Sequence, residues 1–266
     1  MVDKSEKFGW LVRLGFAARG LVYLLIGYLA LSASGGDKGP EGAFNWLQDV
    51  PLGVPILYLS ALGLLAYALY RLASVVFDVD NHGSDKKGLI HRAGHGASAI
   101  AHLALAWTAF QFAQGDKQSA SGGGGSGEEA AGSLLSFSFG SLLLGLVGLG
   151  FLAAAVMQAK SAATGGFMKA VAGNAPSFVK PLGHAGHAAR AIVFAIIGWS
   201  VMQSAWFASS TQVKTLGEAV SSLADNGTIY TLVALGLLLF GLFSLVTARY
   251  RVVPDLDRRN FTSPLS

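Results

Sequence analysis

Two arginines, Arg19 and Arg190, sit inside stretches otherwise made of apolar residues, "LGFAARGLVYLLIGYLAL" (14–31) and "AGHAARAIVFAIIGW" (185–199). A third stretch, "AGHGASAIAH" (93–102), carries Ser98 at the matching place. A guanidinium is a planar fork that bonds both oxygens of a phosphate or carboxylate. Buried in lipid it costs several kcal/mol unless paired, and no Asp or Glu lies inside the apolar stretches. The counter-charge is then a loop carboxylate such as Asp78 or Asp80, backbone carbonyls, a lipid headgroup or a bound anion. Two readings follow. In one, Arg19 and Arg190, flanked by Arg13, Arg92 and Ser98, form a shared cationic pocket for an anionic lipid or small anion. In the other, the arginines snorkel to the interface or glue helices together.

The histidines offer a second chemistry. All six, at 82, 91, 95, 102, 184 and 187, fall near the ends of apolar stretches that carry basic residues. Aligning the stretches matches Arg13 with Arg92 and His184, Phe16 with His95 and His187, Arg19 with Ser98 and Arg190, and Tyr23 with His102 and Phe194. His95 and His187, with His102 nearby, could ligate a haem axially or bind a metal with a third ligand. No HExxH motif or nearby carboxylate supports this, so no cofactor is expected. Hydrogen bonding between helices or to headgroups is the plainer role, and a proton-linked one the remaining option. No nucleophile–base pair, paired carboxylates or cofactor motif is present, which argues against an enzyme. The absence of Cys removes disulfides, thiolate metal sites and Cys catalysis.

Such residues need elements to hold them at one depth. The 266 residues are 52% hydrophobic and 13% charged, with mean hydropathy +0.51; a soluble domain carries about 25% charged residues. The fold class is therefore an all-α integral membrane protein, since lipid admits only helices or closed barrels and the apolar runs show no two-residue alternation. Six segments, about 10–32, 52–73, 92–113, 138–159, 183–206 and 229–250, each approach the roughly 20 residues a crossing needs. Of the 19 Lys and Arg, all but Lys38, Lys117 and Lys214 fall on one side of this layout. By the positive-inside rule both termini are cytoplasmic. The basic residues cluster at segment ends, which argues against nucleic acid as a partner despite the net charge of +4. Recurrence of the first run's pattern argues that it is a mature helix and not a cleaved signal. The outer connections "GAFNWLQDV" (42–50), "EEAAGSLLSF" (128–137) and "TLGEAVSSLADNG" (215–227) read as short amphipathic helices at the interface. Residues 115–132 read as a flexible Gly/Ser-rich outer loop.

The segments form a threefold repeat of a two-helix unit, at about 10–78, 91–162 and 183–251, within a single domain. Odd helices begin alike, and even helices end alike, in "AYALYRLA" (66–73), "AAVMQAKSA" (154–162) and "SLVTARYRV" (244–252). Arg71, Lys160 and Arg249 recur every 89 residues. Each unit has two crossings, so the repeats are parallel and predict a six-helix bundle with approximate threefold symmetry. The "GFAARGLVYLLIGYLAL" start, the "LGLLAYALYRL" end of the second helix and the final "ARYR" resemble the bacterial membrane family known as domain of unknown function twelve-oh-six. That resemblance implies three units, six helices and a location in the bacterial inner membrane, and brings no activity, cofactor or catalytic residue. The expected role is a non-enzymatic scaffold or accessory subunit, with membrane lipids and a larger membrane protein complex as its classes of partner. The alternatives are a channel or transporter for a small anion along the repeat axis, and a haem protein using His95 and His187.

Overall fold

A computed structural model describes residues 4–32, 40–80, 83, 85–115 and 127–252. His82, Lys38, Lys117, Arg258 and Arg259 lie outside them. The described chain is helical: α1 (Lys4–Leu31), α2 (Pro40–Asp49), α3 (Gly53–Phe77), α4 (Lys86–Ala113), α5 (Gly127–Leu135), α6 (Gly140–Thr164), α7 (Val179–Phe207), α8 (Leu216–Ser221) and α9 (Gly227–Tyr250). Local chemistry sets several ends. Asp78 stops α3 in the left-handed region, at φ 45°, a conformation Asp tolerates better than most residues. Asp85 opens α4 by accepting from the Gly88 N–H, and Thr215 with Glu218 forms a capping box on α8. Val171 and Arg251 make an isolated antiparallel bridge. It ties the 3-10 turn Gly166–Ala170 to the end of α9.

Five helical stretches are long and apolar enough to cross a membrane: Phe8–Leu31, Gly53–Phe77, Gly140–Thr164, Val179–Phe207 and Gly227–Tyr250. The helix α4, which contains the expected segment 92–113, is 28 residues long but is not among them. Its polar positions, among them His91, Arg92, His95, Ser98 and His102, dilute its hydropathy.

The long helices pack in the order α4–α3–α1–α9–α7–α6. Repeat-equivalent residues make equivalent contacts along this row. A Cβ on Gly15 would lie 2.7 Å from the Cα of Tyr67, and one on Gly186 would lie 2.7 Å from the Cα of Phe240. Gly63 meets Ala18 as Gly236 meets Ala189, and Gly27 meets Leu238 as Gly198 meets Leu152. These approaches put helix backbones against each other, as small residues allow in lipid. The register they define pairs Arg71 with Gln158 and Ser244, not with Lys160 and Arg249. The 89-residue spacing aligns the charged helix ends, which follow the membrane face and not the packing.

One equivalent interface is missing. A closed ring would join α4 to α6 as α1 joins α3 and α7 joins α9, yet α4 and α6 make no comparable contact. Among the described residues, no atom lies within 4 Å of where a Cβ on Gly94, the counterpart of Gly15 and Gly186, would sit, nor of one on Gly150, the counterpart of Gly63 and Gly236. Both are exposed.

At the end of the bundle far from Asp80, the three short connecting helices form where the sequence places them. Two of them are set deeper than an interfacial helix would be. Ala43, Phe44 and Leu47 of α2 and Ala219 and Val220 of α8 are buried, and Gln48 donates to the Phe112 carbonyl at 2.9 Å. The helix α5 takes up residues 127–132, which composition assigns to the flexible loop. Glu128 and Glu129 occupy its first turn, where acids favour a helix. The glycines at 122–125 lie outside the described residues.

These contacts sort the glycines by cost. Gly15→Ala and Gly186→Ala should each destabilise the folded chain by about 1–3 kcal/mol, the usual scale of overpacking. Gly94→Ala and Gly150→Ala should stay within about 0.5 kcal/mol of wild type. Unfolding midpoints in detergent read both, and equal losses at all four positions would contradict the open α4/α6 seam.

Candidate functional site

Where α1, α3 and α9 meet, one phenol oxygen takes three N–H groups. Arg19 Nη1 donates to Tyr67 Oη at 2.7 Å. Arg71 donates to the same oxygen from Nη2 at 2.6 Å and from Nε at 3.0 Å. Arg71 lies one helical turn beyond Tyr67, so the two share a face of α3. Arg19 also donates to Ser244 Oγ, from Nη2 at 2.9 Å and Nε at 3.2 Å. Its guanidinium lies 4.5 Å from the ring centre of Phe16, 5.0 Å from Tyr67 and 5.1 Å from Phe240. Arg19 is only 7% exposed. It does not snorkel: hydroxyls and aromatic faces supply the acceptors that an acid-poor interior lacks.

Asp80 closes the network at the mouth of the bundle. The left-handed turn at Asp78 sends the chain back, burying Val79 and aiming Asp80 at α3. Tyr70 Oη donates to Asp80 Oδ1 at 2.7 Å, and Ser74 Oγ donates to Oδ2 at 3.2 Å. Arg251 Nη2 lies 3.1 Å from Oδ1, and Arg71 Nη1 lies 3.7 Å from Oδ2. Arg71 Nη1 also meets His95 Nδ1 at 2.6 Å. Because arginine only donates, Nδ1 is the bare nitrogen, and the protonated Nε2 faces Asp80 Oδ2 at 3.5 Å. Burial alone would raise the Asp80 pKa, but the guanidiniums of Arg251 and Arg71 outweigh it and hold the carboxyl below its ordinary value. Asp80, named above as one candidate counter-charge, thus pairs with Arg71, Arg251 and His95. It does not pair with Arg19.

The structure brings together only part of the set read from the sequence. Arg190 shares the Phe240 ring with Arg19, at 4.5 Å, and stacks near Phe194 and Tyr23. Its Nε finds no hydrogen-bond partner among the described residues. The repeat explains why. Phe240 stands where Tyr67 stands for Arg19, without the hydroxyl, and Gln158 stands where Ser244 stands but is taken by His187 Nδ1. Ser98 is turned to its own helix, its carbonyl accepting from His102 Nδ1 at 2.7 Å, while the His102 ring lies tilted against Tyr67, with centroids 4.5 Å apart. Arg92 donates to the Val75 carbonyl at 2.8 and 2.5 Å and so caps the end of α3. Arg13 is exposed and lies over Trp10.

Both histidines of the expected haem pair are engaged by neighbouring side chains. His95 gives its lone pair to Arg71, and His187 is stacked 4.8 Å from Phe167 with Phe240 and Phe243 against it. His184 donates to the Ala162 carbonyl. No cluster of three or more metal-binding side chains occurs among the described residues. Sequence reasoning misses Tyr67, Ser244, Tyr70 and Arg251. The Tyr67–Arg71 spacing is the available signal, whereas Ser244 and Arg251 need the packing register.

Comparison with known proteins adds a family. The model described as Domain of Unknown Function (DUF1206) matches three times, at residues 14–78, 93–165 and 185–251. The chain is 31% identical over 264 residues to "Uncharacterized protein YxxB" of Bacillus subtilis (strain 168), covering 93% of this chain and 94% of that one. No solved structure matches.

Removing the shared acceptor tests the network. Tyr67→Phe should cost about 2–3 kcal/mol, the scale for hydrogen bonds to charged groups, read as a lower unfolding midpoint in detergent. A midpoint equal to wild type would mean the arginines are held some other way. Asp80 adds a pH signature. Its folded pKa lies below the unfolded value of about 3.9, so its contribution is complete above that value and lost as pH falls through the folded pKa. Stability should drop on acidification below about pH 4, and Asp80→Asn should remove that part of the drop while lowering stability at neutral pH.

Proposed function

This chain belongs to the DUF1206 family, and from that premise we propose that it is a non-enzymatic scaffold or accessory subunit of the bacterial cytoplasmic membrane. In this reading α4 is the sixth crossing, both termini are cytoplasmic, and the six long helices form an approximately threefold ring left open between α4 and α6. The open edge receives a transmembrane helix of a partner protein.

The observation that carries the reading is the pair of glycine positions, Gly94 and Gly150, that no described residue packs against. In the other two units the same positions take another helix backbone at close range. Lipid tails are as apolar as leucine and gain little from such a surface, whereas a helix packs on it tightly. For α4, 28 residues make a helix about 42 Å long, enough to span. The alternatives fare less well. An anion path along the axis would have to pass Arg19, which is tied by hydrogen bonds to α3 and α9. A haem pair would have to displace Arg71 from His95.

Native mass spectrometry of the protein extracted in mild detergent from its own membrane, beside Gly94→Leu/Gly150→Leu, tests this. The wild type should carry an additional subunit mass that the double variant loses, with the variant's unfolding midpoint unchanged. A wild-type chain without a subunit, or one retained equally by the variant, would end the proposal.

A further inference from the structure

A second feature, independent of the seam, lies where α1 and α9 end beside the Val171–Arg251 bridge. A cleft of about 320 Å³ is lined by Arg13, Ala172, Asn174, Arg249, Tyr250 and Arg251. Three arginines and an asparagine line it, and among the described residues no carboxylate does. We propose that this cleft binds a phosphate group.

Its geometry is built and not incidental. The Ala172 N–H donates to the Tyr250 carbonyl at 2.8 Å and the Val252 N–H to the Ala170 carbonyl at 3.0 Å, which fixes both walls. Arg251 is anchored through Nη2 alone, to Tyr70 Oη at 2.5 Å and Asp80 Oδ1 at 3.1 Å. Its other nitrogens have no partner among the described residues and remain to bond an oxyanion. Arg13 and Arg249 have no carboxylate partner among the described residues; each lies only over a neighbouring aromatic ring, Trp10 and Tyr250. Three arginines around one small space suit a phosphate oxyanion better than an apolar ligand. The volume is near the lower end of the range of about 300–1,000 Å³ for ligand pockets, so it suits a headgroup-sized ligand. Trp10, 63% exposed, marks the depth as the interface, where tryptophan concentrates. A lipid phosphate and a soluble phosphate share this chemistry, and the test separates them.

The full chain in detergent is compared with Arg13→Gln/Arg249→Gln, which spares the anchored Arg251, and with Lys160→Gln/Lys180→Gln, which removes the same charge from exposed positions outside the cleft. Each is assayed by native mass spectrometry for retained phosphatidylglycerol and by titration with inorganic phosphate. The arginine variant should lose at least about tenfold in affinity for one of these probes (about 1.4 kcal/mol), with the lysine variant unchanged. Loss confined to phosphatidylglycerol assigns a lipid headgroup, and loss confined to inorganic phosphate assigns a soluble source. Equal losses in both variants would reduce the effect to general surface charge and overturn the proposal. So would binding of both probes unaffected by the arginine substitutions, provided the variants melt as wild type does.

Discussion

A charged group deep in a bundle with no acid near it must be satisfied by neutral oxygens, and here one oxygen serves two guanidiniums. Tyr67 brings to the interior a hydroxyl that accepts from Arg19 and Arg71 and a ring that both cations face. A serine could supply the oxygen but not the apolar body. A phenylalanine could supply the body but not the oxygen. From this point the polar contacts run outward, to Ser244 on α9 through Arg19 and to His95 on α4 through Arg71. The carboxylate that balances part of the charge stays at the mouth, where water lowers the cost of holding it.

The three units share a backbone plan but not a polar chemistry. Position for position, Tyr67 corresponds to Ala154 and Phe240, and Arg71 to Gln158 and Ser244. The third unit therefore keeps an arginine, Arg190, but surrounds it with rings and leaves its Nε without an acceptor among the described residues. The middle unit replaces the arginine with Ser98 and leaves Gly94 and Gly150 unpacked among the described residues. Polarity is concentrated in the first unit, and vacancy in the second.

Much of this architecture is legible in the amino-acid sequence, and the parts that are not share a cause. Helix existence, the repeat and the membrane class follow from composition and spacing, which are local properties. Register across helices is not local: Lys160 and Arg249 look like the partners of Arg71 because positive charge collects at one membrane face, while the glycines that set the packing recur on a different spacing. The role of Asp80 depends on a left-handed turn at Asp78 that no pattern announces. The deep seating of α2 and α8 depends on space left by the long helices. Arg13, Arg92 and Ser98 group with Arg19 in the sequence because repeat alignment reports depth and says nothing about rotation.

The pairing of α1 with α9 also bears on how the chain is made. Arg19 enters the membrane with the first helix, yet its serine partner lies 225 residues further on. At synthesis rates of about 5–20 residues per second, roughly 11 to 45 s separate the two. Tyr67, 48 residues after Arg19, arrives long before and holds the arginine in the interval. The first and last helices are thus the two ends of a clasp: until its final segment is in place, the nascent chain carries an arginine with only part of its hydrogen bonds made.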